Sequence, residues 1–397
     1  MLSRFPYPLI KGDKLRAYHH IKELSKNHEI ILCALSDEKI HPEAIPELNK
    51  YCSKVYIFKL KWHSVFLNVF KALFNGKPLQ VGYFYDNKIK QEIDKIIKDT
   101  QPDHIFCQLI RVTEYIKSSK IPKTLDYQDV FSKGVERRMN TTSFIFKPVF
   151  KLEYKRLLKY EANIFDCFNN KMIISKPDRD LIPHKNKDDI YIIHNGVDQS
   201  FFTPQQAEKK YDLIFTGNMA YPPNINAAEY LINKILPELK LYKPDIKVLI
   251  AGARPVSKIR KMQSENVQIT GWVEDIRICY AQSKIFIAPM QIGTGLQNKL
   301  LEAMAMQLPC VSSEMANRAL DATDGKEILL GHEPEEYVKH ILHLLDDKQF
   351  ADDIAMQGFK YVSVNYNWGT LTEKINEIIS ACTSTNDSVK SELKCLK

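Results

Sequence analysis

Residues 293–306, Gly-Thr-Gly-Leu-Gln-Asn-Lys-Leu-Leu-Glu-Ala-Met-Ala-Met, place two glycines, a lysine and a glutamate at a spacing that can do chemistry. They follow a short apolar run, Ile285 to Pro289, that reads as a buried parallel strand. A small-residue turn there opens into a helix. Glycines let the backbone approach a ligand, and the first N–H groups of a helix point at it. Gly293, Thr294, Gly295 and Asn298 line that turn, and Lys299 adds a full positive charge suited to a diphosphate. Glu302, one turn further, can take a sugar diol in two hydrogen bonds. Phosphate donors followed by a diol acceptor describe a nucleotide-sugar site. A Lys–Glu pair on a solvated helix face is the plainer alternative, because strand, glycine turn and helix recur in every doubly wound domain.

The elements that must hold such a site are legible. The 397 residues exceed a single core and imply two domains of ordinary size. A hydrophobic content of 44% and a charged content of 26% are those of a globular protein. No apolar run reaches the roughly 18 to 20 residues that span a bilayer, and the first residues lack a signal-peptide pattern. The eight cysteines form no CxxC pair; several sit in apolar runs and read as reduced core thiols, with no metal site.

Apolar runs alternate with helical patterns throughout, the signature of parallel sheets with crossover helices. Strands are expected at residues 30–35, 55–60, 104–108, 124–127 and 171–174 in the first half. In the second half they are expected at 213–216, 247–251, 267–270, 285–289, 310–312 and 328–330. The polar stretch from Ser175 to Lys210, broken by Pro177, Pro183, Gly196 and Pro204, reads as the hinge. The expected division is a first domain over 1–190, a linker over 191–210 and a donor-binding domain over 211–365. A helix over 366–382 returns to the first domain, and a disordered tail covers 383–397. The helix from Leu15 to Lys26 has almost no strand before it, so the first domain's central strand is expected to be missing or truncated.

The formal charge of +8 is concentrated. Between Lys133 and Lys159 eight basic residues (Lys133, Arg137, Arg138, Lys147, Lys151, Lys155, Arg156, Lys159) are interleaved with Phe144, Ile145, Phe146, Val149, Phe150 and Leu152. Trp62 to Lys77 repeats the pattern with Phe66, Leu67, Phe70, Leu73 and Phe74. Basic helices with aromatic faces lie on anionic lipid; the alternative is that the aromatics face the core. Nucleic acid is disfavoured, since no known binding module accompanies the charge.

The ordered motifs resemble those of the retaining glycosyltransferases of family 4, with the GT-B fold. The chain looks closest to sugar transferases found with exosortase-linked exopolysaccharide systems. Arg4-Phe5-Pro6-Tyr7-Pro8 and Lys11-Gly12-Asp13 through His19 are similar to the glycine loop of the acceptor-side domain. Asn195-Gly196-Val197-Asp198, Gly217-Asn218-Met219, Ala251-Gly252-Ala253-Arg254-Pro255, Gly271-Trp272-Val273, Gly293–Ala305 and Asn367-Trp368 then follow in the family's order. The resemblance implies an α/β architecture of two doubly wound Rossmann-like domains facing each other across a cleft. It implies a nucleotide-diphosphate sugar donor, transfer of a hexose-type sugar with retention, and a glycan or polyprenol-linked acceptor in exopolysaccharide or cell-surface polysaccharide synthesis. No cofactor or metal is expected, and the place of action is the cytoplasm, at the inner face of the plasma membrane.

Residue by residue, Glu302 corresponds to the family's ribose-holding glutamate, while Lys299, Gly295 and the helix start would hold the diphosphate. Thr294 stands where many relatives place the first glutamate of the pair. The loop cations of many relatives are absent from Thr216–Ala220, so the phosphate charge falls to Lys299, Arg254 and, from the first domain, Lys14 or Arg16, with Gly12, Gly217 and Asn218 as further diphosphate contacts. Asp129 is the candidate for orienting the acceptor hydroxyl; its alternative is a loop-capping aspartate. With Lys299 and Glu302 it completes the expected catalytic set. Asp178-Arg179-Asp180 is a DxD that reads as helix capping, and His340 and His343 as a solvated face. A nucleotide-sugar epimerase of the same fold, or a catalytically weak scaffold subunit of a polysaccharide assembly complex, are the competing readings.

Overall fold

The computed structural model describes the chain except Ile10, Gly293, Thr294, Leu396 and Lys397; the side chains of Asn140, Thr141 and 383–395 also lie outside the described residues. The chain forms two units, Met1–His194 with Thr372–Lys397, and Asn195–Leu371. The first boundary falls four residues beyond the expected end of the first domain, for a reason visible in its sheet. Tyr191–Ile192, inside the stretch read as the hinge, is an edge strand.

In the first unit the strands are β1 (Ile31–Ser36), β2 (Lys54–Lys59), β3 (Ile105–Gln108), β4 (Lys123–Asp126), β5 (Asn170–Ile173) and β6 (Tyr191–Ile192), all pairs parallel. β1 pairs with β2, and β3, β4, β5 and β6 lie in sequence order. Leu2 joins the two runs through parallel bridges to Ala34 and Gln108. Its N–H donates to the Cys33 carbonyl at 2.9 Å, its carbonyl accepts from Leu35, and the amino terminus donates to the Phe106 carbonyl at 2.7 Å. The central position expected to be missing or truncated is therefore held by Met1 and Leu2, which satisfy backbone groups that β1 and β3 would otherwise leave bare.

The second unit contains β7 (Tyr211–Thr216), β8 (Val248–Ala251), β9 (Val267–Gly271), β10 (Ser283–Ala288), β11 (Cys310–Ser312) and β12 (Leu329–Leu330) in the order β12-β11-β10-β7-β8-β9, all parallel. The order runs outward from β7 in one direction and from β10 in the other, so it reverses between them. In a doubly wound sheet the crevice outside the strand ends at that point is where ligands bind. β7, β8 and β10 are near-continuous apolar runs because helices cover both faces; Leu213, Ile214, Phe215, Val248, Leu249, Ile250, Phe286 and Ile287 are all buried.

The long C-terminal helix, Trp368–Cys395, starts in the second unit and belongs to the first from Thr372 onward. Its Asn376 meets His28 at 3.0 Å, and the Ile378 carbonyl accepts from Asn170. The reading of 383–397 as a tail falls on residues whose side chains lie outside the described set. The seven described cysteines are free.

Candidate active site

In the second unit the loops after β7 and β10 flank the point of reversal. The loop after β7 begins with Gly217, whose φ of 152° and surroundings both demand glycine: a Cβ would lie 2.6 Å from Asn224 Nδ2 and 3.2 Å from Lys299 Nζ. Gly252 at the end of β8 is tighter still, since a Cβ there would meet the Gly217 carbonyl oxygen at 2.0 Å. The two loops are thus packed backbone to backbone. Met219 N–H donates to the Ala253 carbonyl at 2.8 Å, which fixes the exposed Arg254 beside the loop of Asn218. Asn218 is exposed and its carbonyl accepts from Asn224.

The loop after β10 leads to the helix Asn298–Ala305, whose start carries no side-chain cap and so leaves its first N–H groups open. Gly295 lies three residues before it, in open space, and its carbonyl accepts from Gln297. Asn298 accepts from Asn195 at 3.3 Å. Gly293 and Thr294, both read as donor contacts, lie outside the described residues.

Lys299 points back under the β7 loop. Its ammonium donates to Asn224 Oδ1 and sits 4.6 Å from the centroid of the Phe215 ring. Glu302, one turn on, accepts from the Tyr280 hydroxyl at 2.9 Å, and that hydroxyl lies 2.9 Å from Thr216 Oγ1. Burial lowers the Lys299 pKa to about 7, with Glu302 opposing, and burial raises that of Glu302 to about 7. Each group thus stands at the edge of losing its charge in the recess. A bound anion would restore the charge of Lys299. The sequence offered Asn224 only as part of the motif that begins at Gly217, and Tyr280 not at all; their side-chain roles rest on contacts 75 and 22 residues away.

The candidates of the first unit divide. Arg16, expected to meet phosphate, is 1% exposed and forms a bidentate pair with the fully buried Asp126, Nε to Oδ2 at 2.7 Å and Nη2 to Oδ1 at 3.3 Å. Its Nη1 donates to the His194 carbonyl. That expectation is corrected: the guanidinium is neutralised within the unit and holds the end of β4. Lys14, the other basic candidate there, is buried and bonds Glu38 at 3.3 Å. Gly12 is the exposed first residue of the helix Gly12–Leu24.

Asp129 follows β4 and is solvent-accessible, with one carboxylate oxygen accepting from the Val130 N–H at 2.7 Å. Crowding by protein raises its pKa, while Arg137 and, more weakly, Arg111 pull it down. Asp178 of the DxD is an internal group: Ser175 caps the short helix Lys176–Asp180, accepting from Asp178 N–H and donating to its carboxylate. His340 bonds the Leu330 carbonyl and His343 stacks on Phe350. Among the described residues no three His, Cys, Asp or Glu side chains gather as a metal set would.

The first aromatic stretch is the helix Trp62–Asn75; the second covers the helices Phe131–Thr141 and Lys147–Phe165 and residues 142–146 between them. Trp62 is 82% exposed, Phe74 77% and Phe144 79%, and Phe66, Phe70, Ile145, Phe146 and Val149 are exposed with them. Two residues of the sequence reading are corrected. Phe150 packs on the core, and Arg156 donates to the Ala72, Leu73 and Lys77 carbonyls at the end of the first helix, so neither is presented outward. No helix among the described residues is long and apolar enough to cross a membrane.

A family profile described as "Glycosyl transferases group 1" matches residues 210–347, the span that holds β7 to β12 and the Lys299–Glu302 helix. Over that span the chain is similar to the group 1 glycosyl transferases. Along its length the chain is 23% identical, over 384 residues, to an uncharacterized 44.6 kDa protein in the cps region of Klebsiella pneumoniae, covering 91% of this chain and 94% of that one. Its fold is that of the GT-B glycosyltransferases. The structure of Anabaena HepE in complex with UDP and glucose aligns with a TM-score of 0.66 at 14% identity, covering 96% of this chain and 98% of the other. Sucrose-phosphate synthase of Thermosynechococcus elongatus aligns equally well at 12% identity, with 97% and 98% covered. S. aureus TarM, in a complex containing UDP, aligns with a TM-score of 0.55 at 16% identity; this chain spans 58% of its length and 73% of this chain is covered.

Proposed function

We propose that this glycosyltransferase moves a hexose-type sugar, with retention, from a nucleotide-diphosphate donor to a glycan or polyprenol-linked acceptor in capsule or exopolysaccharide synthesis. The observation that carries the reading is the pairing, at the point of strand reversal, of an ammonium under a glycine loop with a carboxylate one helical turn away. The diphosphate would lie over the open N–H groups of the Asn298–Ala305 helix and against Lys299 and Gly295. The ribose diol would bond Glu302, displacing or sharing the Tyr280 hydroxyl. Gly217, Asn218 and Arg254 would close the phosphate side.

As the sugar–phosphate bond breaks, negative charge grows on the leaving diphosphate. Preorganised donors aimed at that charge lower the barrier, and Lys299 with the helix start supply them without a metal. The acceptor hydroxyl attacks from the face the diphosphate leaves, its proton passing to the departing phosphate, and Asp129 orients it. The exposed aromatic and basic faces of Trp62–Asn75 and Lys147–Phe165 would rest on anionic lipid at the inner face of the plasma membrane. The HepE structures that contain UDP and UDP-glucose, and the capsule-region setting of the Klebsiella relative, support the donor and pathway assignments.

The test is a thermal-shift screen of the purified chain against UDP-, GDP- and TDP-sugars, since a ligand of the native state raises the unfolding midpoint by mass action. A shift with one nucleotide series, lost in Glu302→Ala, is expected. No shift with any of them would overturn the donor site.

A further inference from the structure

Arg111 lies three residues past β3, in the helical turn Ile110–Tyr115 at the carboxyl end of the strand beside Leu2, where the first unit's own strand order reverses. That is the ligand-binding position of a doubly wound sheet, and a weak pull on Asp129 does not account for the rest of this side chain's placement. Its guanidinium is held by a single amide: Gln80 Oε1 accepts from Nε at 3.3 Å and from Nη2 at 3.0 Å. The Phe84 ring lies 5.2 Å away and the Phe131 ring 4.5 Å away. No carboxylate forms an ion pair with Arg111 among the described residues. The contrast with its neighbours is plain, for Arg16 has Asp126, and Lys77 and Lys117 share Glu114.

A guanidinium presents five N–H donors in a planar fork. Two are spent on Gln80, so three remain for something the chain does not supply, and the residue is partly exposed. Arg4 and Arg138 act on it as like charges and Asp13 and Asp37 as opposite ones; Asp13 is already paired with Arg4 at 2.9 Å. Burial works against the charge and lowers its pKa to about 10, still far above neutrality. A charged fork held between rings, with its neighbouring arginines, fits a ligand of more than one negative oxygen.

The scaffold also says what bears that group. Gln80 belongs to the short helix Leu79–Phe84, whose Leu79 and Gln80 N–H groups are capped by Glu153 at 2.6 and 3.1 Å. Glu153 stands on the helix whose first turn exposes Val149, with exposed Phe146 just before it. One side chain therefore ties the Arg111 seat to the apolar face. We propose that Arg111 is the centre of an anion subsite that takes the phosphate of a lipid-borne acceptor, its hydrocarbon chain lying along the exposed face of Trp62–Asn75 and Lys147–Phe165. The proposal rests on the glycosyltransferase reading and names the acceptor's chemistry.

The experiment is titration calorimetry of the full chain with geranyl phosphate, geraniol, inorganic phosphate and UDP, on wild type, Arg111→Gln and Arg111→Lys. Geranyl phosphate should bind at least tenfold more tightly than geraniol, and inorganic phosphate should compete weakly. Arg111→Gln should weaken geranyl phosphate at least tenfold. Arg111→Lys should also weaken it, because a point charge replaces the fork. UDP binding should be equal in all three proteins, which shows that the variants are folded. Equal affinity of wild type and Arg111→Gln for geranyl phosphate would overturn the subsite. Geraniol or inorganic phosphate binding as tightly as geranyl phosphate would overturn the lipid-borne phosphate. Absence of UDP binding with geranyl phosphate binding intact would sink the donor reading and support this one.

Discussion

At the place where its strand order reverses, the second unit sets Lys299 and Glu302 on an open helix start. The first unit, at the matching place, buries Arg16 against Asp126 and turns Arg111 outward instead. The sheets share a winding, yet one edge keeps an ammonium and a carboxylate near neutrality, each on a neutral partner, while the other has neutralised its guanidinium in an ion pair. The difference teaches that a charged residue at a strand end declares a ligand only when its partners leave it unfinished. Lys299 has an amide and a ring, Arg111 an amide and two rings, and Arg16 a full carboxylate.

The comparison is broken most severely at the finished pair. Asp126→Ala leaves a buried guanidinium without its counter-charge, a change that costs about 3–5 kcal/mol. Thermal unfolding should show the first unit collapsing well below the wild-type midpoint, and an unchanged midpoint would mean the pair carries no such weight. Changes at the unfinished edge should spare the fold and strike activity. Glu302→Ala should cut donor kcat/KM roughly tenfold or more, since a charged hydrogen bond is worth about 1.5–3 kcal/mol. Lys299→Ala should act chiefly on kcat, because its charge matters most as the diphosphate leaves. Steady-state kinetics with varied donor separate the two, and identical effects on KM alone would remove the distinction.

A smaller effect is expected at the apolar face. Replacing Lys147, Lys151 and Lys155, all exposed, with Glu should release the protein from anionic vesicles in a sedimentation assay, while transfer to a short soluble acceptor survives. Each basic residue near such a surface is worth about 1 kcal/mol. Equal sedimentation of both proteins would make the stretch an ordinary surface helix.

The smallest effect sharpens the contrast in proton balance. Glu161, buried and bonded by Ser132, has its carboxyl raised by burial to about 7. The native state therefore holds a proton that the unfolded chain gives up near pH 4.5. Between those values its contribution to stability falls as pH rises. Glu161→Gln should flatten the stability profile between pH 4.5 and 7 relative to wild type; parallel denaturant-midpoint profiles would show that the group does not titrate there.

The sequence made the strands legible because both sheets are parallel and buried on two faces, so their apolar runs are continuous and bounded by polar loops. It hid the central strand of the first unit, where Leu2 contributes one residue of ladder, and the two-residue β6, which lies in a polar stretch. Lys299 and Glu302 were readable because their spacing is local to one helix. Arg16 was misread because its partner lies 110 residues away. Arg111 was missed although a signal existed: it is a lone cation just past the end of an apolar strand, the position where doubly wound sheets keep their chemistry.

Arg156 holds a consequence of another kind. By donating to the Ala72, Leu73 and Lys77 carbonyls at and just past the end of Trp62–Asn75, it ties that amphipathic segment to Lys147–Phe165. On the proposed reading, once one segment has entered a bilayer the other meets the lipid as an intramolecular event, at an effective concentration set by that tie and not by diffusion. Two weak anchors, each readily reversible, then act as one whose dwell time exceeds either. The same arginine that the sequence offered as a lipid contact would serve by never touching the lipid.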